Sequence, residues 1–145
     1  MAQTLNSEHR LYLVRSHQKR AMRCLSDARE FVVSKPYLSS RMSYEAVYHL
    51  AAGLFVCEGI PIPKTHRGMN SELYCNFVDK GFIPRDIAAC FGQLEKDRND
   101  DQYDPSVEIQ TEEAQKDLQN AESLCTAIQG LLEKNLAELE QSSSR

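Results

Sequence analysis

The sequence predicts an all-α protein, a small up-and-down antiparallel bundle of about four or five helices. Three observations carry this. Apolar residues recur at intervals of three and four along most of the chain, the spacing that lines one face of an α-helix. The prolines, Pro36, Pro61, Pro63, Pro84 and Pro105, fall between those stretches, where their missing N–H does no damage. No segment alternates apolar and polar residues as a half-buried strand would. At 145 residues the chain has the length of one domain. Residues 1–145 are therefore expected to form a single domain, with an ordered core from about 7 to 140.

The first helix is expected to be capped by Ser7 and to run to about Ser34, carrying Leu11, Val14, Ala21, Cys24, Leu25, Ala28, Phe31 and Val32 inward. Lys35 and Pro36 end it. A second helix starts near Ser39 or Ser40, turns Tyr44, Val47, Tyr48, Ala51, Leu54 and Phe55 inward, and stops at Gly59. Ile60-Pro61-Ile62-Pro63 is a connection. A shorter, less regular helix spans about Thr65 to Lys80 and closes at Gly81; Pro84 then opens a fourth that reaches about Arg98. Asn99 to Gln110, rich in aspartate, reads as a loop. The last helix has Thr111 as its N-cap, with Glu112 and Glu113 at the positive end of its dipole. Its stripe is Ala114, Leu118, Ala121, Cys125, Ile128, Leu132 and Leu139, interrupted at Asn135. It outruns the second helix, so its C-terminal end is expected to project or to pair with another chain, and the Ser142–Arg145 tail to fray.

Composition bounds the function. A hydrophobic fraction of 41%, a charged fraction of 26% and no apolar run near the ~20 residues of a membrane span exclude a membrane protein. The polar stretch Met1 to Arg10 lacks a secretory signal, so the expected compartment is the cytoplasm. Cys24, Cys57, Cys75, Cys90 and Cys125 are scattered singly, with neither a disulfide framework nor a zinc spacing, and read as reduced, mostly buried small hydrophobes. A net charge of -4 gives no broad nucleic-acid footprint. Arg10, Arg15, Lys19, Arg20, Arg23 and Arg29 nevertheless concentrate cations on the first helix, as a basic binding face or a solvated one.

No phosphate-cradling glycine loop, zinc-protease, hydrolase-elbow or calcium-loop pattern is present. Asp100, Asp101 and Asp104 lack the glycine and terminal glutamate of a calcium site, so neither metal nor cofactor is expected. Polar and aromatic residues stand out on three segments instead: Arg41, Tyr44, Tyr48 and His49; Lys64, Thr65, His66 and Arg67; and Arg98 to Asp104. Each has a plain structural reading beside the functional one. Tyr44 and Tyr48 are core aromatics or base-stacking platforms, and His66 bonds its own loop or a ligand. Arg41 and Arg98 hold a phosphate or form ion pairs with Asp101, Asp104 or Glu45.

In order and spacing, the Arg41–Ala52 run, Pro63-Lys64-Thr65-His66-Arg67-Gly68, Phe77-Val78 with Gly81, and Arg98-Asn99-Asp100-Asp101-Gln102-Tyr103-Asp104 resemble the HEPN superfamily, over about Lys19 to Leu132. The likeness is to its stand-alone bacterial and archaeal branch. That resemblance implies a helical bundle, usually a homodimer, often paired with a minimal nucleotidyltransferase in a toxin–antitoxin or defence locus. Active members are metal-independent ribonucleases that use an Arg followed by a His, the imidazole as base and the guanidinium as stabiliser of the phosphorane. Arg98 matches that Arg, but Tyr103 stands where the His belongs, and a phenol is a poor base near neutrality.

The expected function is thus a nucleotide- or RNA-binding module using Arg41, Tyr44, Tyr48, Lys64, His66, Arg67, Arg98 and Tyr103. The alternatives are a ribonuclease toxin, with Arg98, Tyr103 and His66 as its catalytic set, and a structural dimeric adaptor. By the same resemblance, Tyr103 is a candidate acceptor of a nucleotidyl group from the partner.

Overall fold

Asn6 opens the first helix: its side-chain oxygen accepts the His9 N–H at 2.7 Å, satisfying one of the donors a helix start leaves free. Ser7, the expected cap, is instead the first residue of α1 (Ser7–Phe31), which ends one turn short of Ser34. In this computed structural model, which describes residues 6–143, Pro36 begins the next helix rather than ending the last. At the first helical position its fixed φ is already correct and its absent N–H would have had no partner. α2 (Pro36–Glu58) therefore starts a turn earlier than Ser39 or Ser40 would place it. Those serines lie inside, and the Ser39 hydroxyl donates to the Ala28 carbonyl at 2.6 Å, stitching α2 to the end of α1. Gly59 closes α2 at φ 72, as its lack of a Cβ allows.

Thr65 caps α3 (His66–Leu73) by accepting the Gly68 N–H at 2.9 Å. A Cβ on Gly68 would meet the Thr65 hydroxyl at 2.9 Å, so the turn needs glycine there. A π-helical turn, Tyr74–Val78, continues α3. The expected single helix from Pro84 is broken at Ala89 into α4 (Arg85–Ala88) and α5 (Cys90–Tyr103). Asn99 to Tyr103, expected in a loop, are helical. Their acidic side chains find cations that a composition count does not show, Lys96 holding Asp100 at 2.8 Å and Arg41 holding Asp101 at 2.9 Å. α6 (Thr111–Ser143) begins at Thr111, which is the first helical residue and not the cap. The described residues hold no strand, and no helix among them is long and apolar enough to cross a membrane. Ser144 and Arg145, part of the tail expected to fray, lie outside the described residues.

Pairs of contacting side chains give the directions. Ser39 meets Ala28 and His49 meets His17, so α1 and α2 are antiparallel. Arg41 meets Asp101 and Glu45 meets Arg98, so α5 is antiparallel to α2. Arg29 meets Glu122 and Arg15 meets Glu140, so α6 is antiparallel to α1. The long helices thus alternate in direction, as the sequence led one to expect.

α2 sits at the centre. Ala46, Val47, Leu50, Ala51, Ala52, Gly53, Leu54 and Phe55 are all buried, covering its whole circumference, and small residues let neighbours come close. A Cβ on Gly53 would lie 3.2 Å from the His17 Cβ of α1. The α6 stripe differs from the expected one. Asp117, not Leu118, takes the fully buried place between Ala114 and Ala121, and Leu136 fills the gap at Asn135, which bonds Glu58. Nor does the end of α6 project. Leu136 and Leu139 are buried, and Arg15 holds Glu140 at 2.9 Å. Cys24, Cys57 and Cys125 are buried, whereas Cys75 is exposed.

Two helical glycines should respond oppositely. Gly53→Val forces α1 off α2 and should cost about 1–3 kcal/mol, while Gly130→Ala, on an open face of α6, should stabilise by about 0.4–1 kcal/mol. Urea unfolding of both variants checks this, and equal effects would refute the packing account.

Candidate functional site

Along α2, Arg41, Glu45 and His49 recur at four-residue steps, with Tyr44 and Tyr48 beside them, so an otherwise apolar helix carries one polar edge. α3 and α5 cover that edge. From α3 comes His66, fixed at the helix start by the Thr65 cap, and its Nδ1 is hydrogen-bonded to the Tyr44 hydroxyl. From α5 comes Arg98, whose guanidinium lies 5.3 Å from the centre of the Tyr44 ring. Phe91 stacks on Tyr44 at 5.6 Å, and the Tyr48 and His66 rings lie 5.1 Å apart. Tyr44 is fully buried, and burial first, then the carboxylate of Glu95, pushes its hydroxyl far above the usual phenol range. It therefore stays protonated and can donate to His66.

Glu45 is the second link. Its carboxylate lies 3.7 Å from Arg98 Nε and 3.8 Å from His49 Nε2. His49 in turn faces His17 of α1, Nδ1 to Nδ1 at 3.5 Å. Burial is the largest influence on His49, followed by His17, Arg20 and Arg23, and together they push it down to about 4. Burial and Arg20 lower His17 as well. Both rings are neutral at pH 7, so each can donate from one nitrogen and accept at the other.

The structure thus joins Tyr44, Tyr48, His66 and Arg98, four of the residues singled out in the sequence, and gives Arg41 and Arg98 the carboxylate partners anticipated for them. Arg98 reaches neither histidine directly; Tyr44 stands between it and His66, and Glu45 between it and His49. Asp104 is not an Arg partner. It accepts from the Ser106 N–H and hydroxyl at 3.0 and 2.6 Å. Tyr103 is 72% exposed at the end of α5. Lys64 and Arg67 are exposed beside the α3 start, and Arg67 lines a shallow groove with Asn70, Gly92, Lys96 and Asn99 and the carboxylates of Glu95 and Asp100. Asn99 also accepts from Arg98 at 3.1 Å, which connects the groove to the buried cluster. A larger groove, between Ile60, Phe77, Phe82 and Leu131, holds none of these residues.

Sequence reasoning missed His17, Asp97 and Asp117. The last falls on a core step of α6, and a carboxylate at an inward position was the available signal.

The HEPN domain model matches residues 14–133. A UPF0332 protein of Thermotoga maritima is 25% identical over 118 residues, covering 80% of this chain and 88% of that protein.

The depression of His49 gives a pH prediction. A histidine lowered in the fold contributes stability that is complete above its unfolded value near 6.5 and is lost as pH falls through about 4. NMR titration should show the His49 ring resonances flat from pH 8 to 5.5; a midpoint near 6.5 would refute its burial against His17.

Proposed function

Since the chain belongs to the HEPN domain family, we propose that it is a phosphate-binding module that takes a nucleotide or RNA beside the Tyr44 cluster. The observation that carries this reading is the convergence of Tyr44, Tyr48, His66 and Arg98 next to a groove on whose rim Arg67 stands without an ion-pair partner among the described residues. Lys64 and Arg67 have no ion-pair partner among the described residues, so a phosphate can take them without displacing a carboxylate. His66 offers its second ring nitrogen, and Tyr48 a partly open ring face for a base. Arg98, held by Glu45 and Asn99, supplies positive charge from behind the groove wall. Arg41, held by Asp101, and Tyr103, exposed at the end of α5, are further donors to a longer ligand.

In this reading the module works in the cytoplasm as a homodimer, paired with a minimal nucleotidyltransferase in a toxin–antitoxin or defence system, as HEPN domains commonly are. Strong catalysis is not part of it. Tyr103 replaces the imidazole of active members, and His66 is already bonded to Tyr44. The ribonuclease reading keeps one supporting observation, that His66 and Arg98 share the Tyr44 side chain, and the same experiment separates the two.

Fluorescence anisotropy with a labelled single-stranded RNA and with a labelled ATP analogue should detect binding. Arg67→Ala should weaken it about tenfold, the loss of one charge-assisted contact, and flatten its salt dependence. Absence of binding, or wild-type affinity in both Arg67→Ala and Arg98→Ala, would end the proposal. RNA cleavage in EDTA that disappears in Arg98→Ala would replace it with the ribonuclease reading.

A further inference from the structure

Asp97 of α5 and Asp117 of α6 take no part in the binding proposed above, yet they are the two acidic residues buried in the core of the described chain, 8% and 1% exposed. Their carboxyl groups meet between the two helices. The Gln93 amide donates to Asp97 at 2.8 Å, and Ser40 of α2 faces Asp117. No cation forms an ion pair with either carboxyl among the described residues; Lys96, next to Asp97 on α5, is bonded to Asp100 and acts on Asp97 only through space. Arg41 is committed to Asp101, Arg98 to Glu45, Arg29 of α1 to Glu122 and Arg85 of α4 to Asp79. The other charged group acting on Asp117 is Glu113, one turn earlier on α6, which is also acidic.

Two ionised carboxylates cannot rest against each other in a buried site, but one shared proton turns the contact into a hydrogen bond. The Oδ2 atom of Asp117 is sealed from solvent and no protein donor reaches it, as suits an oxygen that is itself the hydroxyl. Burial and then Asp97 push the Asp117 carboxyl well above the usual carboxylate range, with Ser40 opposing.

We infer that the Asp97–Asp117 pair, sharing one proton, is a pH-operated latch that fastens α5 to α6 and is released when the proton leaves. Asp97 directly precedes Arg98 in α5, so the latch holds the backbone that carries the guanidinium over Tyr44. Asp97 and Asp117 are positioning residues in this scheme. The sign follows from proton binding. An acid whose proton is held more tightly in the fold than in the unfolded chain contributes stability that is complete below the unfolded carboxylate range. That contribution falls as pH rises, through the folded midpoint.

Urea unfolding of the full chain from pH 5 to 9 tests it, comparing wild type with Asp117→Asn, which keeps the neutral shape but has no proton to lose. The ratio of folding constants, variant over wild type, should rise about tenfold per pH unit and level off above the folded midpoint. A ratio independent of pH overturns the latch. If the variant does not fold, amide exchange of the wild type decides. After correction for intrinsic rates, α5 should lose protection relative to α1 as pH rises, and parallel change in the two helices overturns the proposal.

Discussion

The burial of α2 on all sides is the constraint on which the rest of the structure depends. A helix exposed along one face can place its polar residues there, but α2 is enclosed by α1, α5 and α6 and has almost no such face. Its middle is accordingly built of Ala51, Ala52 and Gly53, which admit neighbours at short range, with Leu50, Leu54 and Phe55 filling the space between helices. Its N-terminal half bears serines, tyrosines and ionisable groups, and each needs a partner from another element. Ser39 finds the Ala28 carbonyl, Tyr44 finds His66, and Arg41 finds Asp101.

The same constraint explains why the candidate site lies at that end of the bundle. Partners for α2 come from three directions, so residues far apart in sequence are drawn into one layer. Within it, Arg41 pairs with Asp101 and Arg98 with Glu45, which leaves the buried Asp97 and Asp117 without an ion pair among the described residues. The layer is balanced more closely when one carboxyl stays neutral, and burial selects Asp117, the most enclosed. Cations outside the layer, Lys64 and Arg67, are left exposed to solvent.

Much of this was legible in advance because helices announce themselves locally. The apolar stripes of α1 and α2, the glycine that ends α2, and the turn from Pro63 to Gly68 depend on neighbours within a few residues. The errors lie where the deciding partner is distant. Asn99 to Tyr103 looked like a loop because Asp100, Asp101 and Asp104 in a short run disfavour a helix, until Arg41, 60 residues away, pairs with Asp101. Leu118 looked like the inward residue of α6, since nothing nearby in sequence shows that Asp97 will make the adjacent place suitable for Asp117.

The sequence by itself determined the helical class, the number of long helices, their alternating directions and the identity of the residues that form the polar edge of α2. These follow from spacing, from turn chemistry and from connections too short to allow other arrangements. Only the tertiary structure decided which of those residues meet. His66 and Arg98 both reach Tyr44 but not each other, and Glu45, marked in the sequence only as an ion-pair partner, connects Arg98 to His49. The physical reason is that a periodic pattern gives the face of a helix but not its axial shift or rotation against its neighbours. Those are fixed by packing around α2, and a shift of one residue would exchange every contact in the layer.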